Sequence, residues 1–231
     1  MRAAGDILGR VLAGGDTPER RAIHRRHLAG GPPRKLRAAA RQVALESGRW
    51  LDLGAGYGTY LVHLGPGSLG LDREPGRVAF LRSLGLEAEE RDLDRPGWSA
   101  GLSRYEGAWA ADLLMHLEEP GVLLQELPRV LRPGAPLVVS EWVWPAGRGL
   151  GPLLARRVPG ARSVWDHPEH LRRYTEEELA RQLEEAGFRV RRRLVPTFRP
   201  AAAGALVRWF WPPRTLVAEC LAEGEPGSGR S

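Results

Sequence analysis

Three glycines at alternate positions, Gly54, Gly56 and Gly58, follow a short apolar run in LDLGAGYGTY (51–60), and the run carries one carboxylate, Asp52. Glycines so placed let a ligand come close to backbone. Their spacing narrows the ligand. A dinucleotide fingerprint needs G-x-G-x-x-G, but Thr59 stands where the third glycine belongs and the pattern here is G-x-G-x-G. A phosphate loop ending G-K-S/T needs a lysine, and the only lysine, Lys35, lies upstream. Asp72 closes a second apolar run eighteen residues after Gly54, near the spacing at which a carboxylate accepts from ribose hydroxyls. Asp92 closes a third run, where it can accept from an exocyclic amine. Asp52 is placed to hold a cationic or ammonium group, or to brace the loop through its N–H groups, and it repels a pyrophosphate. Three acids around a glycine loop suit a phosphate-free, cation-bearing nucleoside.

The elements that must position these residues alternate along the chain. PRKLRAAARQVALES reads as a helix stopped at Gly48, and GRWLDLG as a buried strand whose following turn should feed a helix. SLGLD is a second strand, REPGRVAFLRSLG a helix, LEAEERD a third strand and GAWAAD a fourth. PGVLLQELPRVL reads as a helix interrupted or bent at Pro128, and PGAPLVVSEWV as a turn with a fifth strand. TEEELARQLEEAGF carries a capping box, Thr175 with Glu178, and a Gly187 stop. RVRRRLV and TLVAECLA are two further strands. Such alternation predicts a parallel sheet covered on both faces, with Asp72 at a surface-facing strand end.

The bulk composition bounds the rest. The length of 231 residues, 42% hydrophobic, suits one α/β core. A single cysteine, Cys220, excludes an internal disulfide and a cysteine-based zinc site, and points to a cytoplasmic protein. No run approaches the ~20 apolar residues of a membrane span, so no membrane partner is expected. The net charge of +6 is unevenly spread: residues 1–49 hold eleven basic residues against four acids. Residues 145–175 hold six arginines against two acids, and residues 189–214 seven arginines and no acid.

D-L-G-A-G-Y-G, with GLD at the second strand and RDL at the third, resembles the class I S-adenosylmethionine-dependent methyltransferases. YEGAWAADLLMHLEEP, LLQELPRVLRPGAPLVVS and HPEHLRRYTEEELARQLEEAGF are similar to later motifs of the type-11 branch, so that the resemblance covers about residues 48–190. It implies a Rossmann-like seven-stranded, mostly parallel sheet with helices on both faces and an antiparallel last strand, TLVAECLA. It implies a methyltransferase domain (48–222) with a substrate-side insertion (141–174), while composition marks a basic N-terminal helical segment (1–47), an Arg/Trp-rich connection (197–214) and a disordered tail (223–231). The cofactor implied is S-adenosyl-L-methionine. Its binding set is Asp52, Gly54, Ala55, Gly56, Asp72, Arg73, Asp92, Leu93 and Ala111, where Gly54 and Gly56 touch the methionine part, Asp72 the ribose, Asp92 and Leu93 the adenine, and Ala111 the region of the sulfonium.

On the acceptor side His116, His167 and His170 are the candidate catalytic residues, each with a bland alternative as a capping or surface histidine; no metal is expected, for want of a convincing third ligand. Trp142, Trp165, Tyr174 and Trp209 are the candidate substrate contacts, alongside Trp144, Phe210 and Trp211. If the basic and aromatic segments converge on one rim, the acceptor is an anionic small molecule. RNA is the alternative acceptor, and a nicotinamide-dependent oxidoreductase or a non-catalytic cofactor-binding protein the alternative function.

Overall fold

The computed structural model describes residues 31–102, 104–143, 170–194 and 213–221. Seven strands form one sheet: β1 (Trp50–Leu53), β2 (Leu69–Asp72), β3 (Glu87–Glu90), β4 (Gly107–Ala111), β5 (Pro136–Trp142), β6 (Phe188–Leu194) and β7 (Pro213–Cys220). Their order is β3-β2-β1-β4-β5-β7-β6, with β7 antiparallel to both β5 and β6 and the other pairings parallel. This is the expected seven-stranded Rossmann-like sheet with its antiparallel last strand. Strand order reverses between β1 and β4, and at such a switch point an open sheet receives its ligand beyond the carboxyl ends of the strands.

Period-2 alternation sorts the strand residues onto two faces. Leu51, Leu53, Ala108, Ala110, Leu137 and Val139 share one apolar cluster, whereas Trp50, Trp109 and Val138 share another. Four helices among the described residues cover them: α1 (Arg34–Ala39), α2 (Pro75–Ser83), α3 (Pro120–Val130) and α4 (Glu176–Glu185). Leu123 and Leu127 of α3 and Leu179 and Leu183 of α4 pack on the first face; Leu36 of α1 and Val78 and Leu81 of α2 pack on the second. Each such leucine contributes about 1.5–3 kcal/mol by leaving water. The capping box of α4 forms as expected, with Thr175 Oγ1 accepting from the Glu178 N–H at 3.1 Å and Glu178 Oε2 accepting from the Thr175 N–H at 2.8 Å. Among the described residues no helix is long and apolar enough to cross a membrane.

Two local expectations change. The first helix ends at Ala39 and does not run to Ser47, because Leu45 turns into the core, where its carbonyl accepts the Gly65 N–H, and the Ser47 carbonyl accepts the Trp50 indole. The glycine loop feeds one 3₁₀ turn, Leu61–His63, and no α-helix follows before β2. Gly65-Pro66-Gly67, with Gly67 at φ +73°, ends that turn within the fifteen residues between the strands, so no helix dipole points at the loop. α3 passes through Pro128 and ends two residues later.

Candidate cofactor site at the carboxyl ends of the strands

The glycine loop leaves β1 with Gly54, Gly56 and Gly58 all in the left-handed region. At Gly54 the restriction is double: φ is +69°, and a Cβ would lie 2.8 Å from Leu113 Cδ1, on the segment after β4. The loop and that segment therefore touch. At Gly56, φ is +55° and the side where a Cβ would stand is open. Its N–H donates to Asp72 Oδ2 at 2.8 Å.

Asp72 is 4% exposed, not surface-facing as its position in the sequence suggests. Its Oδ1 accepts the Glu74 N–H at 2.9 Å, and Arg77 lies 3.6 Å from Oδ2. Each oxygen thus holds one backbone N–H and keeps acceptor capacity for another donor. Arg73 beside it is exposed. Asp52, in β1 just before the loop, is buried. Its carboxylate accepts from the Leu61 N–H, Oδ2 has no partner among the described residues, and burial followed by the nearby Asp72 charge pushes its pKa up to about 8. An unpartnered buried acid is costly unless a donor or cation arrives. Burial also pushes the Tyr60 phenol well above its ordinary value, helped by Asp112 and Asp52, and its ring lies 5.1 Å from that of Trp109.

Asp92 is half-exposed and accepts from the Asp94 N–H at 3.1 Å, with Arg95 3.5 Å away. Leu93 is buried in the core with Trp98, Ala55 is buried within the loop, and Ala111 is half-buried at the end of β4. Next comes Asp112, at φ +52° the one non-glycine residue in the left-handed region among those described. Lys35 of α1 reaches both its carboxylate oxygens, at 2.6 and 2.5 Å, and its N–H donates to the Ser140 carbonyl at 2.7 Å.

His116 and His170 come together, ring centroids 4.9 Å apart and edge to face. The segment after His170 docks on the one after β4, since the Leu171 and Arg172 N–H groups both donate to the Met115 carbonyl. Tyr174 pairs with Val143 and buries its hydroxyl without a partner; burial first, then the charges of Glu141 and Glu178, push its pKa up to about 12 against the opposing Arg172. Trp142 is half-buried at the end of β5. His167, Trp165, Trp209, Trp144, Phe210 and Trp211 lie outside the described residues. Arg191, in one of the basic segments, is paired with Glu219 across β6 and β7.

Three residues escaped the sequence reading. Asp112 and Lys35 form an ion pair 77 positions apart, for which the lone lysine was the only hint. Glu141 is fully buried, and its signal was a carboxylate in register with Leu137 and Val139 on one apolar face.

The residues fit S-adenosylmethionine. The loop is open where a Gly56 Cβ would stand, Asp72 has acceptor capacity for ribose hydroxyls, and Asp52 has an orphaned oxygen that suits a cation. A family model described as a methyltransferase domain matches residues 22–192. No curated protein matches the sequence. Among solved structures, a chain from the complex of the Haloferax volcanii Trm112 methyltransferase activator with a methyltransferase is 17% identical, with a TM-score of 0.66 over 94% of this chain and 98% of that one. Magnesium protoporphyrin IX methyltransferase from Synechocystis PCC 6803, with bound S-adenosylhomocysteine, is 18% identical, with a TM-score of 0.56 over 95% of each chain. SpnF, described as a cyclase, is 21% identical, with a TM-score of 0.60 over 94% of this chain and 93% of that one. The last shows that this fold also carries other chemistry.

Proposed function

We propose an acceptor class for this chain, which belongs to the methyltransferase-domain family and is an S-adenosylmethionine-dependent methyltransferase: a small molecule bearing a phosphate or carboxylate. The observation that carries the proposal is the uneven charge, with eleven basic residues against four acids in residues 1–49 and two further arginine-rich segments. Of the first of these, α1 lies beside the strand ends, since its Lys35 reaches Asp112. Basic residues at the mouth of a cleft concentrate anions there.

The cofactor supplies a methyl group on a sulfonium, open to in-line displacement by an N, O or C nucleophile. Asp72 and the Gly56 amide set the loop against which it would rest, and Asp52 would face its cationic part. His116 and His170, as the proposed acceptor-side pair, would take a proton where the nucleophile arrives protonated. Most of the acceleration comes from placement, which supplies about 7–11 kcal/mol. Arg73, Asp92, Leu93, Ala111, Trp142 and Tyr174 complete the proposed contacts, as cofactor and acceptor sides respectively for the first four and the last two. RNA is the second reading, favoured by the sequence pI of about 10.3.

Two measurements test the proposal. S-adenosylhomocysteine at 100 times its dissociation constant should add about 2.7 kcal/mol, or roughly 5–11 °C in Tm, with no shift for NAD; the reverse pattern would sink the cofactor assignment. Mass spectrometry of a cell extract incubated with the protein and methyl-labelled cofactor should then reveal a labelled anionic small molecule. A labelled RNA, or a steep salt dependence of about 0.7 per phosphate contacted, would select the second reading, and a neutral product would remove the anionic acceptor.

A further inference from the structure

Methyl transfer as described above makes no use of Glu141, although its carboxylate is buried in an apolar face. Its Oε1 accepts two backbone N–H groups at once, from Leu113 at 2.8 Å and from Leu114 at 2.7 Å. These amides begin the 3₁₀ turn Leu114–His116, whose N-cap, Leu113, has no side chain able to cap it. The first N–H groups of such a turn lack acceptors of their own and need one from elsewhere. A leucine or valine at position 141 would suit the face better and leave both amides unpaired. Glu141 therefore caps, from another strand, the turn that follows β4.

That turn bears on the loop. Leu113 fills the space a Gly54 Cβ would enter, and Asp112, just before it, holds its left-handed conformation with its N–H on Ser140 and its carboxylate on Lys35. The backbone N–H groups of residues 112–114 and the Asp112 carboxylate are thus all tied to other elements, and Glu141 accepts two of those N–H groups. We propose that Glu141 is a positioning residue for the reaction: by capping the Leu113 and Leu114 amides it fixes the segment after β4 against the glycine loop, so that the cofactor cradle is built before the ligand arrives. This rests on the reading of the loop as a cofactor site.

The test uses the whole chain in three variants. Glu141→Leu removes the acceptor, Glu141→Gln keeps an amide oxygen for it, and Leu183→Ala weakens the core under α4 without touching the cleft. In the cofactor-free protein, amide hydrogen exchange followed by NMR should show Leu113 and Leu114 losing at least tenfold in protection in Glu141→Leu. S-adenosylhomocysteine affinity should fall at least tenfold in the same variant. Glu141→Gln should restore both to within threefold of the unmodified protein, and Leu183→Ala should leave both unchanged, which a merely structural role for Glu141 would not produce. A folded Glu141→Leu with unmodified affinity or protection overturns the proposal, as do unprotected Leu113 and Leu114 amides in the unmodified protein, a result that needs no variant to fold. If the unmodified protein binds no S-adenosylhomocysteine, the cofactor reading fails first and takes this one with it.

Discussion

The cleft has two sides, and each is pinned by one carboxylate that accepts two backbone N–H groups. On the β1–β2 side Asp72 divides them, Oδ2 taking Gly56 and Oδ1 taking Glu74, with Arg77 alongside. On the β4–β5 side Glu141 spends one oxygen on both Leu113 and Leu114, and Oε2 has no partner among the described residues. The consequence is electrostatic. Burial, with the Asp112 charge behind it, outweighs the two amides and Lys35 and pushes Glu141 up to about 8. Two acids with the same formal task thus differ: Asp72 clamps the loop with both oxygens engaged, while the raised pKa of Glu141 makes its side of the cleft sensitive to pH.

The largest effect should come from breaking the fully engaged side. Asp72→Ala leaves the Gly56 and Glu74 amides without acceptors, and each unpaired amide costs about 1–3 kcal/mol when water cannot replace the lost bond. Because Asp72 is buried, the variant should lose stability as well as affinity, by about 2–4 kcal/mol in urea unfolding. S-adenosylhomocysteine affinity should fall by about a hundredfold or more, at about 1.4 kcal/mol per factor of ten. An unchanged unfolding midpoint would show that Asp72 does not clamp the loop.

Why Asp72 could be read from the sequence and Glu141 could not follows from what each one binds. Asp72 ends a short strand at a fixed interval from a glycine loop, and that interval is visible in the chain. The sheet was equally visible, because strand and helix periods alternate with glycine and proline between them. Glu141 binds backbone amides 27 and 28 positions earlier, and amides carry no residue-type signal. Its one trace, a glutamate in phase with Leu137 and Val139, was absorbed into an apolar strand. The missing helix after the loop is a similar case: a glycine loop suggests the helix, while Gly65-Pro66-Gly67 forbids it. Burial of Asp72 was hidden too, since it depends on α2 and the loop closing over the strand end.

A smaller effect should appear on the Glu141 side as a pH slope. Between the ordinary carboxylate range and about pH 8 the unfolded chain has released the Glu141 proton and the folded chain still holds it. The folded state then binds more protons, so this group's stability contribution, fully present below the ordinary range, is lost as pH rises to about 8. Asp52 acts in the same direction. Glu141→Gln, which has no proton to release, should remove up to about 1.4 kcal/mol per pH unit of that decline. Urea midpoints from pH 5.5 to 8.5 would reveal it, and a slope identical to that of the unmodified protein would mean that Glu141 ionises normally.

The smallest effect concerns the tie between α1 and the segment after β4, Lys35 on Asp112. The side chains are 13% and 36% exposed, so the pair lies between a surface bridge, worth about 0–1 kcal/mol, and a buried one. Lys35→Met keeps most of the apolar stem that packs beside Leu36 and removes the charge. Asp112 can then be hydrated, and the loss of stability should be about 0.5–1 kcal/mol at low salt, shrinking as salt is added. The variant also sharpens the contrast between the two acids. Lys35 lowers the Glu141 pKa, so without it Glu141 should ionise at higher pH, whereas the ties on Asp72, to Gly56, Glu74 and Arg77, involve no residue of α1. In the Lys35→Met protein the pH-dependent decline should therefore extend further upward, while S-adenosylhomocysteine contacts on the Asp72 side stay intact and affinity changes by less than about threefold. A pH profile that does not move would show that Lys35 serves Asp112 alone, and an affinity loss as large as that of Asp72→Ala would place Lys35 in the cofactor site itself.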